Sequence, residues 1–288
     1  MSAAETVAAG LGFLEGPVWR DPTGDLIVTV VSRGLLLRVD VESGRADTFA
    51  ETAGGPNGAY PCQDGGLVVT QNGGIDWQAV GMANPSPPDP AEPGLQRVRP
   101  DGSVSPLTGP GDGPFRAPND LCVDQDLTLW FTDPPRYPPP AEPVGRVWRW
   151  SRGGRPEVHA DGLQYCNGIG VDGQGRILVV EGHGLMYLDP DGGRPWLIES
   201  LPSGGDGFAF DVEGHVYVCG GRSVTVISAE GKVVEQLEAP DGPAIMTNCC
   251  FGRDDRRTLF AVDGASGRVL AFPDMPVPGV RLPDAVIA

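Results

Sequence analysis

Several patterns that would each have pointed to a chemistry are missing from this 288-residue chain. Its six cysteines (Cys62, Cys122, Cys166, Cys219, Cys249 and Cys250) form no CxxC pair and no Cys/His zinc spacing. Cys122 and Cys219 fall inside strand-like runs, where a reduced cysteine behaves as a small hydrophobe, so a reduced, cytoplasmic protein is expected. There is no GxSxG elbow, and the three histidines (His159, His183 and His215) are scattered. No apolar run is long enough to cross a bilayer. No basic region precedes Val7–Leu14, so no signal peptide is expected. Positive charge is short: 21 Lys and Arg stand against 38 Asp and Glu, a net charge of −17. Such a surface repels phosphate backbones, which excludes nucleic acid as an expected partner. It keeps the chain soluble and can raise the local concentration of divalent cations. With no apolar surface stripe evident, a monomer is the default expectation.

What the chain does have is glycine (43) and proline (30), placed as punctuation between apolar runs, which is the turn chemistry of an all-β protein. Six polar corners recur: Glu15-Gly16, Asn57-Gly58, Asn119-Asp120, Asn167-Gly168, Asp206-Gly207 and Asn248-Cys249. Their spacings are 42, 62, 48, 39 and 42 residues. A period near 40–45 residues with four strands per unit predicts a six-bladed β-propeller filling residues 1–288 as a single domain, its corners facing one axis.

The fifth unit shows the plan: strands at Gly207–Asp211, His215–Cys219, Ser223–Ser228 and Lys232–Leu237, with glycine-bearing turns between them. Thr6–Leu11 is expected to supply the outer strand of the last blade and so close the ring, removing an exposed edge. Two proline-rich insertions, Gly81–Gly94 and Pro134–Gly145, cannot be central strands and fall between the second and third strands of blades two and three. In an antiparallel meander that loop lies on the face where the first strand starts. The insertions therefore share a face with the corners, and Trp77, Arg136, Tyr137, Glu181, His183 and Arg222 sit in or beside such loops. The alternative for each is an ordinary surface loop residue.

A lone Asn-Gly or Asp-Gly is a turn signal. Here the slot is always polar, is equivalent across six repeats, and holds Glu15, a poor turn residue. Carboxylates with amide oxygens suit a hard divalent cation, Ca²⁺ first, with Mg²⁺, Mn²⁺, Zn²⁺ or Fe²⁺ as alternatives. Burying carboxylates with no cation would be costly.

The segments FLEGPVW (Phe13–Trp19), APNDLCVDQDLTLWFTDPP (Ala117–Pro135), CNGIGVDGQGRILVVE (Cys166–Glu181), GDGFAFDVEGHVYVC (Gly205–Cys219) and TNCCFGRDDRRTLF (Thr247–Phe260) resemble the regucalcin/gluconolactonase family, in the family's order and over nearly the whole chain. The resemblance implies a six-bladed propeller with a divalent metal in its central channel and hydrolysis of sugar lactones; diisopropyl fluorophosphatase is a relative. It implies Glu15, Asn119, Asn167 and Asp206 as metal ligands, with Asp206 also the general base and Asn119 also a substrate contact. Asn57, with Trp77, Tyr137 and His183 from the loops, completes the expected substrate-facing set. Two departures stand out. Cys166 and Gly205 replace a proline common before the ligand, and Ala117 occupies a position where many sugar-acid lactonases carry arginine, the nearest here being Arg116. The expected activity is opening of a small lactone ring by a metal-activated water, without nucleic acid or membrane as partner. The alternatives are a phosphotriester or fluorophosphate hydrolase, a non-enzymatic metal-binding or partner-binding propeller, and non-hydrolytic chemistry on the same scaffold.

Overall fold

The computed structural model describes residues 4–84, 89–108, 111 and 113–286. It contains no helix among them and 24 strands in six four-stranded antiparallel sheets. The chain starts with β1 (Glu5–Ala8), which belongs to the last blade. Blade one is β2 (Leu14–Arg20), β3 (Asp25–Val30), β4 (Leu35–Val39) and β5 (Ala46–Glu51). Blade two is β6 (Pro56–Pro61), β7 (Leu67–Gln71), β8 (Gly94–Val98) and β9 (Val104–Pro106). Blade three is β10 (Leu121–Val123), β11 (Leu129–Asp133), β12 (Gly145–Trp150) and β13 (Glu157–Leu163). Blade four is β14 (Cys166–Val171), β15 (Ile177–Glu181), β16 (Gly184–Leu188) and β17 (Trp196–Ile198). Blade five is β18 (Phe208–Phe210), β19 (Val216–Gly220), β20 (Ser223–Ile227) and β21 (Val233–Glu238). Blade six is β22 (Met246–Gly252), β23 (Thr258–Asp263) and β24 (Arg268–Phe272), completed by β1.

The ring closes as expected, with Glu5 opposite Ala271 and Thr6 opposite Leu270. The closing strand is shorter than the Thr6–Leu11 run because Gly10 and Gly12 adopt positive φ and turn the chain away. Each blade's second strand is buried on both sides, which explains its continuous apolar reading: β7 and β15 have every residue buried. Outer strands are more exposed, as in β21, where five of six residues are exposed. Neighbouring blades share apolar layers between their sheets; one such layer packs Leu14, Val28 and Val30 of blade one against Phe260 and Val262 of blade six.

The insertions lie where the topology places them, between β7 and β8 and between β11 and β12. Residues 85–88 of the first lie outside the described residues. The rest packs over the corner face: the Gly54 N–H donates to the Asp89 carbonyl at 2.8 Å, three residues before Asn57. A Cβ added to Gly73 would stand 3.0 Å from an Arg136 guanidinium nitrogen and 3.1 Å from Pro93 Cγ, so both insertions close on Gly73. After β24 the chain crosses the opposite, lower face. The Val280 N–H donates to the Phe210 carbonyl of blade five at 3.0 Å, and the Ala285 N–H to the Pro61 carbonyl of blade two at 2.9 Å.

All six cysteines are free and buried, and among the described residues no helix is long and apolar enough to cross a membrane. His215 is structural: its ring nitrogen lies 2.9 Å from the Asp211 carboxylate, which also accepts from the Tyr217 hydroxyl.

Candidate metal centre

The corners come together because the inner strands are built to let them approach. In blades one, two, four and six the pairing of the first two strands slips at the corner, between Glu15 and Val18, Pro56 and Ala59, Cys166 and Ile169, and Met246 and Asn248. Such bulges re-aim side chains, here towards the axis. Glycine after the corner residue is a matter of space. A Cβ on Gly16, which also has φ +44°, would stand 2.2 Å from the Asn57 carbonyl oxygen of the next blade. One on Gly168 would stand 2.4 Å from the Asp206 carbonyl oxygen. Each corner thus nests against its neighbour's backbone.

Two repeated hydrogen bonds hold the corners in place. The first joins neighbouring blades: Thr29 donates its hydroxyl to the Asn57 carbonyl at 2.6 Å, Thr70 to the Asn119 carbonyl, and Thr132 to the Asn167 carbonyl at 2.6 Å. The second lies within a blade. A polar side chain at or just past the end of the second strand accepts an N–H two or three residues before the corner. Ser32 accepts from Phe13, Gln71 from Gly55, Asp133 from Arg116 and Ala117, Glu181 from Gln164 and Asp263 from Ile245. Blade five ends its second strand in Gly220, with no side chain to do this. There the Asp206 N–H donates to the Cys219 carbonyl at 2.8 Å instead.

The ring of corners alternates in charge. Glu15, Asp120 and Asp206 stand on blades one, three and five; Asn57, Asn167 and Asn248 stand on blades two, four and six. Asp120 was not singled out from the sequence. It occupies the slot held by glycine in blades one, two, four and five, and reads as the second half of a turn. In the structure it crosses the axis, where the Asn248 side-chain amide from the opposite blade donates to its carboxylate at 3.2 Å. Asn119, its neighbour, is buried.

The electrostatics are those of a cavity made for positive charge. Burial pushes the Asp206 carboxyl up to about 8, helped by the charge of Asp120 and opposed by a hydrogen bond from Asn167. Burial pushes Asp120 up to about 6 against hydrogen bonds from the Leu121 N–H and Asn248. Glu15 is raised well above the usual carboxylate range by burial, then by Asp206 and Asp120. No lysine or arginine is among the groups acting on these three carboxyls. The side-chain oxygens of Asn57 and Asn167 are buried with no hydrogen-bond partner, a costly arrangement for an acceptor. Among the described residues no three His, Cys, Asp or Glu side chains gather closely enough to hold a metal alone. A cation on the axis would therefore draw on amide oxygens as well as carboxylates, the mixed oxygen set that hard divalent cations take. The orphaned oxygens and uncompensated carboxyls fit such an ion.

The residues expected from the loops are spread out. Trp77 is fully buried, its ring 4.9 Å from that of Phe13, with its indole N–H unpartnered. Tyr137 is 57% exposed and packs edge-on against Tyr165 at 6.2 Å. His183 is exposed. Tyr165, which the sequence did not flag, lies near enough to Asp206 and Glu15 that their charges help burial to raise its hydroxyl. Arg116 keeps a buried guanidinium nitrogen without a partner, and Glu181 a buried carboxylate oxygen.

The sequence profile described as SMP-30/Gluconolactonase/LRE-like region matches residues 13–263. Among curated protein sequences none matches. Similar solved structures include a gluconolactonase from Xanthomonas campestris, 23% identical over 96% of this chain and 89% of that one, with a TM-score of 0.78. A calcium-binding regucalcin from Agrobacterium tumefaciens is 16% identical over 99% and 98%, with a TM-score of 0.80. A luciferin-regenerating enzyme is 13% identical over 99% of each chain, also at 0.80. At these identities the structural likeness speaks to the fold.

Proposed function

Since the chain belongs to the SMP-30/gluconolactonase/LRE-like family, we propose that it is a divalent-metal-dependent hydrolase that opens the ring of a small lactone. The observation that carries this reading is the pair of orphaned amide oxygens, Asn57 Oδ1 and Asn167 Oδ1, set among three buried carboxyls with no cation of the protein's own nearby. Glu15, Asn167 and Asp206 would hold the ion, with Asn119 beside them, and Ca²⁺ is the first candidate. The ion supplies Lewis acidity at a carbonyl oxygen.

The chain's own residues do the rest. A nearby positive charge favours the ionised form of a carboxyl, so Asp206 becomes a competent base at neutral pH. It takes a proton from the attacking water as the water oxygen bonds to the carbonyl carbon. It returns that proton to the ring oxygen as the ring C–O bond breaks, leaving a hydroxy acid. The Asn119 amide would donate to the oxyanion as it develops. Tyr137 and Tyr165 wall the approach on the corner face, and the carboxylate ring repels anionic substrates, which favours a neutral lactone.

The test is hydrolysis by metal-stripped protein of aldonolactones and aliphatic γ- and δ-lactones, with single divalent cations added back. Turnover restored by metal in the wild type, and lost by at least a hundred-fold in Asp206→Asn with an unchanged circular dichroism spectrum, is the expected result. Tight cation binding with no turnover of any lactone would overturn the reading and favour a phosphotriester hydrolase or a metal-binding propeller.

A further inference from the structure

After β24 the chain crosses the lower face in two stretches that are held very differently. As far as Val280 it is tied repeatedly. The Met275 N–H donates to the Arg257 carbonyl at 2.8 Å, the Gly279 N–H to the Arg256 carbonyl at 2.9 Å and the Val280 N–H to the Phe210 carbonyl at 3.0 Å, while the Val212 N–H donates to the Pro278 carbonyl at 3.0 Å. Gly279 lies so close to blade six that a Cβ there would stand 2.0 Å from Phe251 Cγ. From Arg281 to Asp284, by contrast, no backbone hydrogen bond is made among the described residues. Arg281, Leu282 and Pro283 are exposed. The ion pair of Arg281 with Asp21 at 3.2 Å joins side chains that are 72% and 29% exposed, a kind that contributes little. Backbone pairing resumes at Ala285, whose N–H donates to the Pro61 carbonyl at 2.9 Å and whose carbonyl accepts from the Gln63 N–H at 3.2 Å. Its methyl is buried in the same apolar cluster as Cys62.

Residues 280–284 run over a cavity of about 530 Å³ on the lower side of the corner ring. Inner strands of all six blades line it, and Asp120 and Asn248 of the ring belong to the same lining. Phe210 is on blade five and Pro61 on blade two, which face each other across the axis. The segment between these two anchors therefore spans the lower mouth from side to side. Its two ends differ in hold. The Val280 end continues a well-bonded stretch, whereas the Ala285 end depends on two backbone hydrogen bonds and one buried methyl, with half-buried Val286 beyond. Releasing it leaves every blade intact. A segment near a chain end and held by so few bonds opens locally, well below the free energy of global unfolding.

We propose that residues 281–285 are a latched strap over the lower mouth, hinged at Val280 and latched at Ala285, whose release opens a second approach to the ring of corners from below. Shut, the strap obstructs that approach. Open, it lets solutes reach the ring from the lower face as well as from the face of the insertions. The inference stands whether or not the protein is a lactonase, because it uses neither the metal nor the substrate.

The experiment is amide NMR on the full-length protein. In native-state hydrogen exchange, the latch amides of Ala285 and Gln63 should share one protection factor, at least roughly ten-fold below those of the hinge amides Val280 and Val212, and low urea should leave it unchanged, as local opening requires. A neutral nitroxide radical in solution then reports access. In a chain ending at Asp284, and in Ala285→Asp, broadening of the cavity-wall amides of Ala59, Leu121 and Ala209 should grow by roughly two-fold or more over wild type, while Gly54 and Gly182 on the face of the insertions stay as they were. Equal protection of latch and hinge amides would overturn the proposal, and this wild-type result decides even where a variant misfolds. Unchanged broadening of the wall amides in both folded variants would overturn it too, because the strap would then guard no entrance.

Discussion

Removing metal and raising pH should destabilise this protein, and the carboxyl ring says by how much. A carboxyl whose pKa is raised by folding holds a proton in the native state that it has lost in the unfolded chain. Between the two pKa values the native state binds more protons, so stability falls as pH rises. Moving Asp120 from its usual 3.8 to about 6 corresponds to about 3 kcal/mol. Asp206, moved from 3.8 to about 8, would add about 6 kcal/mol alone, but it shares its proton balance with Glu15, so the Asp120 figure is the safer floor. The loss begins near pH 4 and is complete by about pH 8. Carboxyls held below their usual value, such as Asp25 and Asp64, stabilise the fold above about pH 4 and are already fully ionised in this window. His159, held low mainly by burial, works in the opposite direction below about pH 6.5. It is common to wild type and Asp206→Asn, so the difference between those two proteins isolates the ring. About half of the Asp120 figure, roughly 1.4 kcal/mol, is lost between pH 5 and pH 8, so in chelator-treated wild type the melting temperature should fall by at least roughly 3–6 °C there, at about 2–4 °C per kcal/mol, with Asp206 adding to the fall. The fall should be clearly smaller in Asp206→Asn. Millimolar Ca²⁺ should raise the wild-type melting temperature more at pH 8 than at pH 5. A metal-free melting temperature that is flat or rising across this range, or an identical fall in Asp206→Asn, would refute the reasoning.

Three further outcomes are expected. Gly168→Ala places a Cβ 2.4 Å from the Asp206 carbonyl oxygen, so it should lower stability by about 1–3 kcal/mol in chemical denaturation and weaken Ca²⁺ binding in calorimetry. Thr132→Val removes the hydroxyl that meets the Asn167 carbonyl and should cost about 1–2 kcal/mol, with a larger loss of cation affinity than an exposed control such as Thr48→Val. All six thiols are buried, so a thiol-reactive disulfide reagent should label none rapidly in the native protein and all six in denaturant.

The fold was legible because its signals are local and repeated. The Val216–Gly220 and Ser223–Ile227 strands lie within a residue or so of the apolar runs that mark them, and glycine turns end them. The candidate site was only partly legible. Glu15, Asn167 and Asp206 announce themselves as polar residues in a repeated slot, and the structure brings them together on the axis. Asp120 does not announce itself, because its role depends on Asn248, 128 residues away and on the opposite blade. Glu181 and Asp133 likewise read as strand-end residues until the loops they grip are seen. Trp77 shows the reverse: its loop position suggested a binding surface, while packing against Phe13 puts it under cover. The tail after Phe272 carries no periodic pattern, and its contacts are mostly backbone to backbone, so its path across the lower face could not be read in advance.

The pairing of β1 with β24 sets the order in which this protein can be completed. Five blades are contiguous in sequence and can form as the chain emerges, each leaning on the one before. The sixth needs the first residues and nearly the last ones together. Until synthesis reaches Phe272 the nascent chain is an open arc with a free, pairing-competent edge at β1 and no complete ring of corners. The complete ring of corners, and with it the proposed ion site, is therefore a product of the final step of assembly: a truncated or stalled chain could keep most of its blades and still lack the ring.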